Sequence, residues 1–207
     1  MEQMNRIKSF KSILVTSTRS FTDSNTIAAD IATLVARNGK KVALVDADLR
    51  HPVIHKLFDL PNRVGLCDVL SGSRSPLAVM HHLDNRCLSI LPGGIQAKGS
   101  GDLIGSPKMV DLLKLLKNQF DKVIIHGPPF FFSEAATLAA QVDGVVLLIH
   151  PGYSQVETSQ SIIERFQKTG ATIIGIVMRS QPRYQTGQTA FIDRLLTYDQ
   201  QVRLASK

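Results

Sequence analysis

The stretch SILVTSTRSFTDSNTIAADIATLVARNGKKVALVDADLR (residues 12–50) begins with an apolar run of strand length, ends with a second run closed by acids, and carries a helical pattern between them. In the middle segment Ile27, Ile31, Leu34 and Val35 recur at helical spacing, and Gly39 supplies a left-handed stop. The stretch is therefore a strand–helix–strand unit. A unit of this kind that holds a phosphate does so at its first turn, with glycines that let backbone amides approach and a lysine that supplies charge. Here the turn reads STRSFTDSNT and has neither.

The pattern repeats outward along the chain. Runs rich in Val, Ile and Leu occur at SILVTS (12–17), KVALVDAD (41–48), LSILPGG (88–94), KVIIHGPP (122–129), GVVLLIHPG (144–152) and TIIGIVM (172–178), with helical segments between them. Near-continuous apolar strands alternating with helices predict a doubly wound, mostly parallel α/β sheet with helices on both faces. Of the helices, SPKMVDLLKLLKNQF opens with Ser106 as cap and Pro107 at the first helical position, and VETSQSIIERFQKTG closes on Gly170. No repeat or linker divides the chain, so residues 1–207 are read as one domain. It has a short extension at 1–11 and a C-terminal segment at 180–207, helical from about residue 190.

Composition narrows the function classes. At 207 residues, 43% hydrophobic and 20% charged, the chain has a globular balance, and no run approaches a membrane span, so it is expected to be cytoplasmic. Cys67 and Cys87 lack metal-type spacing, and the six histidines show no metal-ligand motif. The net charge of +7 is spread between segments such as Arg6, Lys8 and Lys11 and the tail residues Arg183, Arg194, Arg203 and Lys207, which reads as a solvated surface. Nucleic acid is not expected as a partner.

Ligands of an open parallel sheet bind beyond the carboxyl ends of the strands. The acids at the end of the second run, Asp46 and Asp48, and the residues after the other strands are thus the positions that matter. The combination ILVTS, VALVDADLRHPVIHKLFDLPNRVGLCDVLSG, LSILPGG and VDGVVLLIHPG resembles the cytoplasmic kinase domain of bacterial tyrosine kinases that serve capsule and exopolysaccharide export, within the deviant-Walker P-loop ATPases. The likeness covers residues 12–179. Its specific part is DADLRHP with HKLF and GL-x-DVL-x-G.

The resemblance also marks departures. It places Asp23 where the family has a phosphate-loop glycine, Ser24 where it has the phosphate-binding lysine, and Asn25 where it has the Mg²⁺-binding hydroxyl. The altered loop thus comprises Thr18, Arg19, Asp23, Ser24, Asn25 and Thr26. His126 stands where the family has its second metal-site aspartate, and Arg179 where an asparagine closes the adenine pocket. Asp46, Asp48 and Arg50 keep the family pattern. A carboxylate about 4 Å from a phosphate oxygen repels it by roughly 4 kcal/mol at an effective dielectric of 20. Asp23 or Ser24 reads instead as an ordinary helix cap, with Asp46 and Asp48 as solvated strand-end acids and Arg50 paired to one of them.

On this reading the chain is a non-catalytic relative that needs no cofactor and binds a membrane polysaccharide co-polymerase or an active kinase paralogue, with self-association left open. Two alternatives stand beside it. One is an active ATPase or autokinase that uses Arg19, Asp46, Asp48 and Arg50 with ATP and Mg²⁺, the two aspartates holding the metal; the other is a nucleic-acid or membrane-surface adaptor. The run PFFF (129–132) adds one structural expectation. Three successive aromatics cannot all face inward, so at least one is exposed unless a partner or the C-terminal segment covers it.

Overall fold

Residues buried on both faces of a strand must lie between two layers of helices, and the apolar runs do so. In the computed structural model, which describes residues 10–18, 23–83, 87–95, 100–149, 164 and 168–178, seven strands form one sheet. They are β1 (Ser12–Ser17), β2 (Val42–Asp46), β3 (His81–Leu83), β4 (Leu88–Leu91), β5 (Lys122–His126), β6 (Gly144–Ile149) and β7 (Ile173–Met178). Their order is β3-β4-β2-β5-β1-β6-β7, parallel throughout except for the short edge strand β3. Strand alternation divides the core in two. Ile13, Val15, Val42, Leu44 and Ile124 pack beneath α1 (Ser24–Arg37), whose alanines 28, 29, 32 and 36 allow close approach.

The opposite face carries Leu14, Val45, Val123, Ile125 and Leu147. It is covered by α3 (Leu66–Ser71), which follows the single-turn α2 (Ile54–Leu57), and then, after the exposed single-turn α4 (Pro76–Val79), by α5 (Ser100–Leu103), α6 (Pro107–Gln119) and α7 (Ser133–Ala139). The doubly wound expectation is met, and all six expected strands are present. Gly39 and Gly170 have φ of 77° and 72°, as their stop positions require. Ser106 departs from expectation: it precedes Pro107 but makes no side-chain cap, and its buried Oγ has no hydrogen-bond partner. The expected C-terminal helix lies outside the described residues, as do Arg19 and Arg179.

The family-like segment from 61 to 72 is held to the sheet by its buried side chains Leu66, Cys67, Val69 and Leu70, by the Asn62 side chain on Gly94, and by backbone hydrogen bonds. Leu66 and Cys67 donate their N–H groups to the carbonyls of Pro92 and Gly93, at 2.7 and 3.0 Å. A Cβ on Gly65 would stand 2.2 Å from the Pro92 oxygen and 2.3 Å from the Gly94 nitrogen. Neither atom can swing aside. Gly65→Ala is therefore expected to cost about 1–3 kcal/mol by overpacking, a fall of roughly 2–4 °C in melting temperature per kcal/mol for a chain of this size. An unchanged melting temperature would show that the β4 loop yields freely.

Candidate functional site

In the β2–β5 pairing Asp46 lies opposite His126, at the carboxyl ends of adjacent parallel strands. That register brings their side chains together. His126 Nδ1 is 3.0 Å from Asp46 Oδ1, and a carboxylate only accepts, so Nδ1 is the nitrogen that donates. The other carboxylate oxygen accepts the amides of Val53 and Ile54 at 2.8 and 2.9 Å. His126 Nε2 faces Ser24 Oγ at 3.4 Å. All three side chains are buried, at 0% exposure for Asp46, 3% for His126 and 5% for Ser24.

The result is a polar chain, Asp46–His126–Ser24, linking the tips of β2 and β5 to the first residue of α1. Two sequence expectations are corrected here. The helix begins where expected, but Asp23 at its cap position makes no side-chain capping hydrogen bond, and Ser24 reaches His126. His126, at the end of its strand, is a buried residue with a carboxylate partner. Asp46 and Asp48 are buried, not solvated, because the turn after β2 folds back over them.

Asp48 Oδ1 accepts the amides of Arg50 and His51 at 3.2 and 3.1 Å. Burial pushes its carboxyl above the ordinary range, and this outweighs the opposing pull of His126 and of the His51 amide. Arg50 pairs with neither aspartate. Its Nε and Nη2 both donate to Glu134 Oε1, at 2.9 and 2.6 Å, and its guanidinium lies 4.5 Å from the centroid of the Phe132 ring. Burial pushes the Glu134 carboxyl up, but hydrogen bonds from its own backbone amide and from Arg50, with the Arg50 charge, bring it below the usual value.

Glu134 was not legible as a site residue. The available signal was an acid in the first turn of a helix directly after the PFFF run, where an N-terminus favours negative charge. That run divides as its length demands. Phe130 is fully buried, Phe131 is 49% exposed, and Phe132 stacks against both Phe131 and Arg50. A cleft of about 270 Å³ lined by Gly101, Asp102, Gly105, Ser106, Ser133, Glu134 and Thr137 lies beside the Arg50–Glu134 pair, away from His126. Of the remaining loop residues, Asn25 is half-buried, Thr26 exposed, and Thr18 buried with its hydroxyl unpartnered among the described residues. No group of three or more metal-ligating side chains occurs among the described residues.

No family model matches the chain, but curated relatives and solved structures do. It is 31% identical over 175 residues to the tyrosine-protein kinase YwqD of Bacillus subtilis strain 168, covering 84% of this chain and 74% of YwqD. The chain belongs to the bacterial tyrosine kinase family. It is 26% identical to the succinoglycan biosynthesis transport protein ExoP of Rhizobium meliloti strain 1021 over 171 residues, of which it spans only 22% of the length, a share similar to that for the other long relatives. The crystal structure of the VpsO kinase domain superimposes with a TM-score of 0.80 at 25% identity, covering 85% of this chain and 87% of that one.

Set against the kinase-family pattern, the donor set does not fit a Mg²⁺–phosphate group. Magnesium takes oxygen ligands in octahedral geometry, whereas both oxygens of Asp46 are engaged by His126 and two amides. In the correspondence that the resemblance implies, a histidine nitrogen stands at the family's second metal-site carboxylate, and Ser24, at the lysine position, carries no charge.

Asp48 yields a test of this burial. A carboxyl whose folded-state pKa is raised opposes folding once it ionises, so the penalty is complete above the folded value and vanishes below the unfolded value near 3.8. Asp48→Asn keeps an acceptor for the Arg50 and His51 amides. It is expected to melt higher than the parent at pH 7, with the two curves converging as the pH falls below 4. A lower melting temperature at pH 7 would mean that the negative charge itself is needed.

Proposed function

We propose that this chain is a pseudokinase of the bacterial tyrosine kinase family, a non-catalytic partner on the cytoplasmic side in exopolysaccharide or capsule synthesis and export. The observation that carries the reading is the Asp46–His126–Ser24 chain, in which protein groups satisfy one another where the family pattern calls for metal and phosphate. Family membership and relatives such as YwqD and ExoP support the polysaccharide setting. The partner is the cytosolic end of a membrane polysaccharide co-polymerase or an active kinase paralogue. The chain requires no nucleotide to complete its fold.

The substitutions at 24 and 126 also balance in charge. Relative to the family pattern, lysine to serine removes one positive charge and aspartate to histidine removes one negative charge. Each change alone leaves a buried charge without its counterpart, which is among the costliest single defects. The two positions are 3.4 Å apart through their polar atoms and therefore couple.

Two measurements follow. Thermal melts of the wild type with saturating Mg-ATP or Mg-ADP are expected to show no shift, since a nucleotide at 100 times its dissociation constant stabilises by about 2.7 kcal/mol and is readily seen. A clear upward shift, or ATP hydrolysis by the wild type, would favour an autokinase with an unusual loop instead. The second is a double-mutant cycle. Ser24→Lys and His126→Asp are each expected to destabilise strongly, while the pair together recovers about 1–3 kcal/mol relative to their sum. Adding Asp23→Gly and Asn25→Thr to that pair is expected to introduce nucleotide binding. Additive single effects would remove the charge-exchange argument.

A further inference from the structure

The strands of a parallel sheet all begin at one edge, and in this protein that edge collects cations from separate parts of the sequence. Lys11 precedes β1, Lys40 and Lys41 precede β2, and Lys122 opens β5; Arg37 and Lys117 lie in the last turns of α1 and α6. Backbone pairing makes them neighbours. Val123 N donates to Lys11 O, the Asp121 and Lys122 amides both donate to Lys41 O, and Lys11 Nζ donates to Lys117 O at 3.1 Å. Six cations that stand apart along the chain thus share one edge of the fold.

The acids at this edge are largely committed. Asp143 accepts Lys117 Nζ at 2.6 Å together with the amides of Lys11 and Ser12, and Asp121 accepts the Lys41 amide at 2.8 Å. Lys11, Arg37, Lys40 and Lys41 are exposed, and no ion pair is formed by any of the four among the described residues. Like charges crowd here. The Lys122 ammonium is held below its ordinary pKa by burial first, and by Lys40 and Lys11 against the pull of Asp143 and Asp121.

We propose that this edge is a docking surface for an anionic lipid bilayer. Two features favour a bilayer over a nucleic acid. The exposed cations are mostly lysines, which act as point charges toward phosphate headgroups and have flexible apolar stems. Leu34 is 45% exposed one turn from Arg37, at the same end of α1, where it can enter the interfacial layer. Single-stranded nucleic acid needs exposed aromatic platforms, but Phe10 and Phe120 at this edge are both packed against the core.

Each lysine or arginine near an anionic membrane contributes about fivefold in affinity, falling off within a Debye length. Vesicles of 70% phosphatidylcholine and 30% phosphatidylglycerol are expected to co-sediment the full chain at 50 mM salt, and pure phosphatidylcholine vesicles are not. Lys40→Glu with Lys41→Glu is expected to weaken binding at least tenfold. Lys56→Glu with Arg63→Glu, an equal charge change elsewhere on the molecule, should leave it within about twofold. Leu34→Asn should weaken vesicle binding but not any binding to a 20-bp DNA duplex. The proposal is overturned by no binding to the anionic vesicles, by equal losses in both charge-reversed pairs, or by DNA binding that matches the vesicles in strength and is blind to Leu34 along with them.

Discussion

Asp46 is a carboxylate with no solvent exposure, and a group in that position must have every oxygen met from within the protein. Much of the upper edge of the sheet follows from meeting that demand. His126 supplies one donor and thereby fixes the register-related tips of β2 and β5. The amides of Val53 and Ile54 supply two more, which forces residues 47–52 to turn back over the strand end. Pro52 is carried onto Gly93, where a Cβ would stand only 2.6 Å from the proline ring. The turn, the loop after β4 and the start of α3 are thus consequences of one buried charge.

The same carboxylate explains why the altered residues form a set. With His126 oriented by Asp46, its second nitrogen faces the start of α1, and a small hydroxyl at position 24 meets it without adding charge. A lysine there would face an imidazole in place of a carboxylate. Beside this centre Arg50 pairs with Glu134, braced by Phe132, while at the opposite edge Lys117 pairs with Asp143. Asp48 is the exception. It is compensated only by backbone amides and nearby histidines, which accounts for the upward direction of its pKa.

Strand runs such as GVVLLI and KVIIH were legible because burial on both faces removes polar residues from them, and the helix over Ser24–Arg37 was legible from its spacing. The edge strand His81–Leu83 was not, since three residues with partly exposed side chains carry no apolar signature. The short helices α2, α3, α4, α5 and α7 were missed because a single turn or two offers no full period to recognise. In the site, the residues that depart from the family pattern were identified by alignment to neighbouring motifs, but their contacts were not. Pairing of Asp46 with His126 depends on β2 and β5 being adjacent, and they are separated by 80 residues of sequence. Arg50 was assigned to a nearby aspartate because local partners are the natural guess. Its actual partner arrives on α7, from beyond the PFFF run.

A parallel sheet has two unlike edges, and here they carry opposite solutions to the problem of charge. At the carboxyl edge, ionised groups are withdrawn from water and satisfied by partners. At the amino edge they are left in water and crowded. Part of that crowding has an internal cause, because α1 and α6 end there and the negative ends of their dipoles favour Arg37 and Lys117 in the last turns. The dipoles act only over the last turn of each helix, so they do not account for Lys11 and Lys122 on the strands or for Lys40 and Lys41 beyond Gly39. Of these, Lys40 and Lys11 repel the Lys122 ammonium, against the pull of Asp143 and Asp121. With few acids beside its lysines, the amino edge, among the described residues, keeps an unmet demand for negative charge that the carboxyl edge, where side chains and amides meet most of the ionised groups, does not.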